Sequence, residues 1–269
     1  MSDIVLILGG GELSSGIAYR LARAGIRVVL TELAEPLAVR RLVSFSEAVY
    51  SGTITVEGIE GIRAAGPSGV EGALAAGKIP VLVDPQAEIR NAVRPAVIID
   101  GRMTKLAPDL RMGDADLVIG LGPGFTAGDN CHAVIETKRG HFLGHVYWEG
   151  SAEPDSGLPD TVGSRTEERV LRAPASGRFN AFVEIGQSLM EGQRIAEVSG
   201  NVLHAPFNGL LRGLLHPGIE ISVGVKAGDI DPRMDPRLCD HISDKALAVG
   251  GAALEAVLTL PEVRNHLWD

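Results

Sequence analysis

The chain has 269 residues, with 34 glycines, two cysteines, 25 Lys+Arg and 34 Asp+Glu, for a formal charge of −9. At about 150 residues per domain this predicts roughly two domains, and a chain of this size buries a core without disulfide or metal staples. The acidic balance and the lack of a basic run argue against nucleic-acid binding; two cysteines suit a reducing compartment; the absence of a signal-like leader and of a long apolar run predicts a cytoplasmic protein with no membrane partner. Glycine makes up about 13% of the chain against a usual share of about 7%. Hydrophobic residues at 45% and charged residues at 22% are ordinary globular values, so the glycines belong in turns, caps and close backbone contacts.

Ile4–Leu8 is a continuous apolar run ending in glycines, as expected of a strand buried on both faces. A helical stretch follows with Ile17, Leu21 and Ala24 on one face and Gly25 as its stop. Further strands are expected at Arg27–Thr31, Ile79–Asp84, Ala96–Asp100 and Leu117–Leu121, with a weaker one at Thr53–Val56. Strands alternating with helices predict a Rossmann-like parallel sheet, and such sheets bind ligands at the carboxyl ends of their strands.

Several candidate site residues collect at those ends. Gly9, Gly10 and Gly11 close the first strand and match a Gly-x-Gly-x-x-Gly/Ala turn, with Ser14 in the third place. Such a turn brings backbone and a helix N-terminus close to a phosphate. Glu32 ends the second strand, where an acid would take a ribose hydroxyl. Glu12 would repel phosphate, while Ser14 and Ser15 would cap the helix or donate to an anion. Asp84 and Asp100 end buried strands and would either meet a ligand or cap the next helix. Gly122 and Gly124 form a second glycine loop, either an anion nest or a tight connection. Arg40 lies on a solvated face or holds an anionic group. Cys131, with His132, His141 and His145, fits no common zinc spacing, and no metal site is expected; a thiol of this kind reads as a small buried hydrophobe.

Residues 150–168 are rich in Gly, Ser, Pro and Asp and read as a linker. Beyond them Val170–Gly177 recurs as Val202–Gly209, an offset of 32 that also maps Gly186 onto Gly218 and Gly192 onto Gly224. Two such copies predict a pseudo-twofold β-structure. It resembles the barrel-sandwich hybrid of biotinyl and lipoyl carrier domains, which carry their modified lysine on the hairpin between the halves. Here that hairpin is Val198–Val202, and no lysine occurs from Leu171 through Val225, so no covalent biotin or lipoate is expected. Residues 1–149 are therefore expected to form a Rossmann-like nucleotide-binding domain and residues 169–232 the small all-β domain. Residues 233–269 are expected to be a helical segment that returns to the first domain, its helix Ala246–Leu260 interrupted at Gly250-Gly251.

The segments Gly9–Gly16, Glu35–Arg41, Phe45–Tyr50, Gly120–Gly128, Cys131–Thr137 and Ile242–Lys245 together resemble the YqeB-like proteins of the selenium-dependent molybdenum hydroxylase system. Glu12 stands where aspartate is usual in that family. The resemblance implies an accessory or maturation protein for a molybdenum hydroxylase, in which the Cys131 thiol would handle sulfur or selenium. Its ligand would be a dinucleotide or the molybdenum cofactor, and its partner the hydroxylase or another maturation protein. An NAD(P)-dependent oxidoreductase and a non-catalytic scaffold that docks a partner enzyme through its β-barrel remain alternatives, and a homo-oligomer is left open.

Overall fold

The computed structural model describes residues 3–104, 109–154, 165 and 167–267; residues 155–164 and 166, most of the expected linker, lie outside them. The chain forms two compact units: Met1–Pro36 with Ser44–Ser156 and Ile242–Asp269, and Leu37–Val43 with Gly157–His241. Two stretches depart from the expected boundaries. Residues 37–43 belong with the second unit, as do residues 233–241.

The first unit is built on a nine-stranded sheet. Its elements in chain order begin with β1 (Ile4–Leu8), α1 (Glu12–Arg23), β2 (Arg27–Glu32), α2 (Ala48–Ser51), β3 (Thr53–Val56), β4 (Ile59–Ala64), α3 (Gly66–Ala75) and β5 (Ile79–Val83). They continue with α4 (Arg90–Val93), β6 (Val97–Asp100), β7 (Leu117–Leu121), β8 (Ala133–Ile135) and β9 (Val146–Tyr147). The spatial order is β3-β4-β5-β2-β1-β6-β7-β8-β9, with antiparallel β3 and β9 at the edges and parallel strands between. β1, β6 and β7 are buried along their whole length, which is why each reads as an unbroken apolar run. The chain moves from β1 to β2 on one side and returns to place β6 on the other. The gap between the carboxyl ends of β1 and β6 is thus a topological switch point, where such sheets offer a crevice.

The second unit contains β10 (Val170–Arg172), β11 (Gly177–Ala181), β12 (Ser188–Leu189), β13 (Arg194–Val198), β14 (Asn201–His204), β15 (Gly209–Leu214), β16 (Glu220–Ile221), β17 (Lys226–Asp231) and the short α5 (Arg237–Asp240). They form two antiparallel four-stranded sheets, β10-β17-β15-β12 and β14-β13-β11-β16. Adding 32 to a residue number carries β10 to β14, β11 to β15, β12 to β16 and β13 to β17, so the internal repeat converts one sheet order into the other. Ser199 and Gly200, both at positive φ, turn β13 into β14. Residues 37–43 pair with β15: Leu214 N–H donates to the Val39 carbonyl at 2.7 Å, and Arg41 Nε donates to the Leu214 carbonyl. The buried Asp229 accepts from Arg169 and Arg212, and the buried Asp231 accepts from Arg233, so the charges inside this unit are paired.

The chain returns to the first unit as α6 (Asp244–Thr259) and α7 (Pro261–His266). Ser243 caps α6 by accepting from Ala246 N–H. The expected interruption at Gly250-Gly251 does not occur: α6 is continuous and packs along α1. A Cβ on Gly250 would overlap the Gly16 carbonyl, and one on Gly16 would overlap the Ala246 carbonyl, so Gly250 permits a close helix contact. Among the described residues no helix is long and apolar enough to cross a membrane.

The two adjacent glycines predict opposite effects. Gly250→Ala forces the helices apart and lowers stability by about 1–3 kcal/mol. Gly251→Ala meets nothing within 4 Å and raises stability by about 0.5–1 kcal/mol through helix propensity. Urea unfolding of both variants checks the pair; equal effects contradict the packing assignment.

Candidate functional site

The turn after β1 is the centre of the site. Gly9 N–H donates to the Thr31 carbonyl at 2.8 Å, and Gly9 sits at φ +85°, a conformation that strains other residues. A Cβ on Gly9 would lie 3.2 Å from Arg102 Cα, and one on Gly10 would lie 3.0 Å from Ser46 N. The turn is therefore wedged between the loop after β6 and the segment around Ser46. The Gly10 carbonyl accepts from Ser46 N–H and from Ser15 Oγ, both at 3.0 Å, and Ser15 Oγ in turn accepts from Phe45 N–H at 2.8 Å. Ser14 is buried with its hydroxyl toward the Gly101 carbonyl. Both serines thus hold backbone segments together; as anion donors they are corrected.

Gly11 is the N-cap of α1 with no side-chain cap, and a Cβ there would meet nothing within 4 Å. This is the open face of the turn, where a ligand can approach the backbone donors of the first helical turn. Glu12 occupies the first helical position, where its carboxylate complements the helix dipole. Glu32 reaches across from β2: its Oε2 accepts from Gly10 N–H and its Oε1 from Leu33 N–H, both at 2.7 Å. Burial pushes its pKa up, and the two N–H donors pull it back. Glu32 therefore shapes the glycine turn, and its carboxylate still has lone pairs for a hydroxyl.

The other candidates separate. Asp84 accepts from Glu88 N–H at 3.0 Å and Ile89 N–H at 2.8 Å and so braces the turn before α4, which has no side-chain cap. Asp100 is buried at the end of β6 and accepts from the backbone N–H and the guanidinium of Arg102. In the second glycine loop, the Gly122 N–H donates to the Ile135 carbonyl and the Thr126 N–H to Asn130 Oδ1, so these amides are taken. A Cβ on Gly122 would lie 2.6 Å from Thr137 Oγ1, and the Phe125 ring packs where a Gly120 side chain would be. The loop acts as a tight connection at those positions, while Gly124 faces open space. Arg40, expected on a solvated face or at an anionic group, is buried in the second unit, where Nη2 donates to the Leu238 and His241 carbonyls. It ties residues 37–43 to the end of α5.

Cys131 takes the buried position that most such cysteines occupy. It is fully buried among Leu8, Val118, Val134 and other core residues, and burial pushes its pKa up to about 11. His132 Nδ1 accepts from Val118 N–H at 2.9 Å, and burial lowers its pKa, so it serves as a neutral acceptor. Among the described residues no group of three or more His, Cys, Asp or Glu is placed to hold a metal ion. Sequence reasoning passed over Arg102, although it stands two residues after Asp100; the contact with Gly9 that gives it meaning spans more than ninety positions.

No protein-family model matches the chain. It is 40% identical over 258 residues to the uncharacterized protein YqeB of Escherichia coli K12, a match covering 96% of this chain and 48% of that protein. The chain thus spans about half the length of the curated relative it matches. This likeness supports the YqeB-like family that the motifs resemble. Solved structures align far more loosely. An aspartoacylase family protein from Mesorhizobium loti shares 12% identity at a TM-score of 0.27, covering 86% of this chain and 85% of that one. The product-bound ectoine utilization protein EutE (DoeB) of Ruegeria pomeroyi shares 10% at 0.23, covering 86% and 58%. Likeness at that level carries no argument about this chain.

The buried thiol sets a pH dependence. An unfolded cysteine ionises near about 8.5, whereas Cys131 in the fold holds its proton to about 11. Between these values the unfolded state releases its proton first, so stability falls as pH rises through that window. Urea unfolding from pH 8 to 11 is expected to show a steeper decline for the wild type than for Cys131→Ala. Parallel curves contradict the assignment.

Proposed function

We propose that this YqeB-like chain binds a nucleotide-containing ligand at the carboxyl edge of its parallel sheet and acts as an accessory or maturation protein for a selenium-dependent molybdenum hydroxylase. The observation that carries the ligand class is the turn Gly9–Gly11. It combines a positive-φ glycine under a neighbouring loop, an open Gly11 at the start of α1, and Glu32 on the Gly10 N–H. Phosphate at Gly11 would face the uncapped helix N-terminus, and a ribose hydroxyl would reach the free lone pairs of Glu32. The switch-point topology supports a Rossmann-like reading of the sheet, and the exchange of one four-stranded sheet for the other under the repeat supports a barrel-sandwich hybrid. The maturation role and its hydroxylase partner rest on the motif set shared with YqeB-like proteins.

Gly11→Ala isolates the ligand claim. Its φ of −69° accepts alanine and its Cβ position is open, so stability changes by no more than about 1 kcal/mol. The added methyl nevertheless stands where the phosphate must approach. Calorimetric titration with ADP, NAD and NADP is expected to show binding by the wild type and at least a tenfold loss in the variant. Undiminished affinity in Gly11→Ala removes this site, and nicotinamide turnover would favour the oxidoreductase alternative. In the host, deletion of the protein is expected to abolish molybdenum hydroxylase activity; full activity without it ends the maturation role.

A further inference from the structure

The glycine turn offers neutral backbone donors flanked by carboxylates, and a cation beside them would strengthen the hold on a phosphate. Arg102 is built into this position. Gly101 N–H donates to the Leu8 carbonyl at 2.9 Å, and the space of a Gly101 side chain is filled by Ser14 Oγ, so the loop after β6 is locked against both β1 and α1. That lock lays the Arg102 backbone on Gly9, with its N 3.3 Å from a Cβ built there. Met103 follows at φ +53°, a conformation unfavourable for a long side chain, with its methyl 3.5 Å from a Cβ built on Gly122. The loop after β6 therefore touches both glycine loops, the first through the Arg102 backbone and the second through the Met103 side chain.

The guanidinium is gripped by two unequal carboxylates. Asp100 takes Nε and Nη2 at 2.6–3.2 Å, and Asp109 takes Nη1 at 3.2 Å together with Nη2. The Asp100 side chain is 5% exposed and that of Asp109 57%. The inner pair is buried and fixes the fork; the outer pair lies in solvent, where an ion pair adds little. A phosphate oxygen pair has the geometry and charge to replace a carboxylate on a guanidinium fork.

We propose that Arg102 is the phosphate receptor of this site: a ligand phosphate or diphosphate takes the outer edge of its guanidinium in place of Asp109, while Asp100 keeps the inner edge and orients the fork. This rests on the nucleotide reading above and adds to it a named cation and an exchangeable counter-ion.

Calorimetry of the full chain with inorganic pyrophosphate at low ionic strength tests it, with melting curves recorded for every variant. Asp109→Asn removes the competitor and is expected to tighten pyrophosphate about three- to tenfold. Asp116→Asn, the same charge change just before β7 at the opposite end of the sheet, is expected to leave affinity unchanged. Arg102→Gln is expected to weaken binding about ten- to a hundredfold, the effect of a lost charge-assisted pair, with Arg102→Lys between. If Arg102→Gln fails to fold, Asp109→Asn and Arg102→Lys carry the decision. A merely structural ion pair would lower the melting point of Asp109→Asn without tightening the ligand. Wild-type binding with Asp109→Asn unchanged or weaker, or with folded Arg102→Gln unchanged, overturns the role of Arg102 and leaves the nucleotide reading standing. Absence of pyrophosphate and ADP binding in all variants, Asp109→Asn included, ends both.

Discussion

The first unit depends on close approaches to the backbone that only glycine permits. Gly9 lies under Arg102, Gly10 against Ser46, Gly101 against Ser14 and Gly16 against Ala246. These contacts are made from one short stretch, the turn after β1 and the start of α1, to the loop after β6, the segment before α2 and the returning helix α6. A methyl group at any of them would have to displace backbone or a short side chain, and close-packed interiors yield little to such changes. Gly9, Gly10, Gly16 and Gly101 thus stand where four parts of the chain converge.

That convergence decides what the acids near the site do. Glu32 and Asp100 each stand at the end of a buried strand, and each turns both carboxylate oxygens onto nearby groups: Glu32 onto Gly10 and Leu33, Asp100 onto Arg102. They preorganise the turn and the arginine, so a ligand meets donors already aimed, at little ordering cost. In the proposed site a phosphate would gain from both the helix N-terminus and Arg102, two contributions of the same sign.

Much of this architecture is legible in the sequence because buried parallel strands leave continuous apolar runs, as at Ile4–Leu8 and Leu117–Leu121. β4, Ile59–Ala64, escapes that rule because it carries the half-buried Glu60 and the exposed Arg63. The repeat is legible because each copy needs the same turn chemistry at the same spacing. What stays hidden is set by partners distant in sequence. Gly250-Gly251 looks like a helix break until Gly16 is seen beside it. Arg40 looks exposed until β15 pairs with residues 37–43. Ser14 and Ser15 carry the right chemistry for an anion site, yet Gly10, Phe45 and Gly101 claim their hydroxyls first.

Amide hydrogen exchange of the full chain with and without ADP tests the central claim most directly, since it reports which backbone donors the ligand orders. The account predicts slowed exchange at Gly11–Leu13 and in the loop Gly101–Met103, with β10–β17 unaffected. Unchanged exchange at both segments under saturating ADP, or protection confined to the second unit, would contradict it.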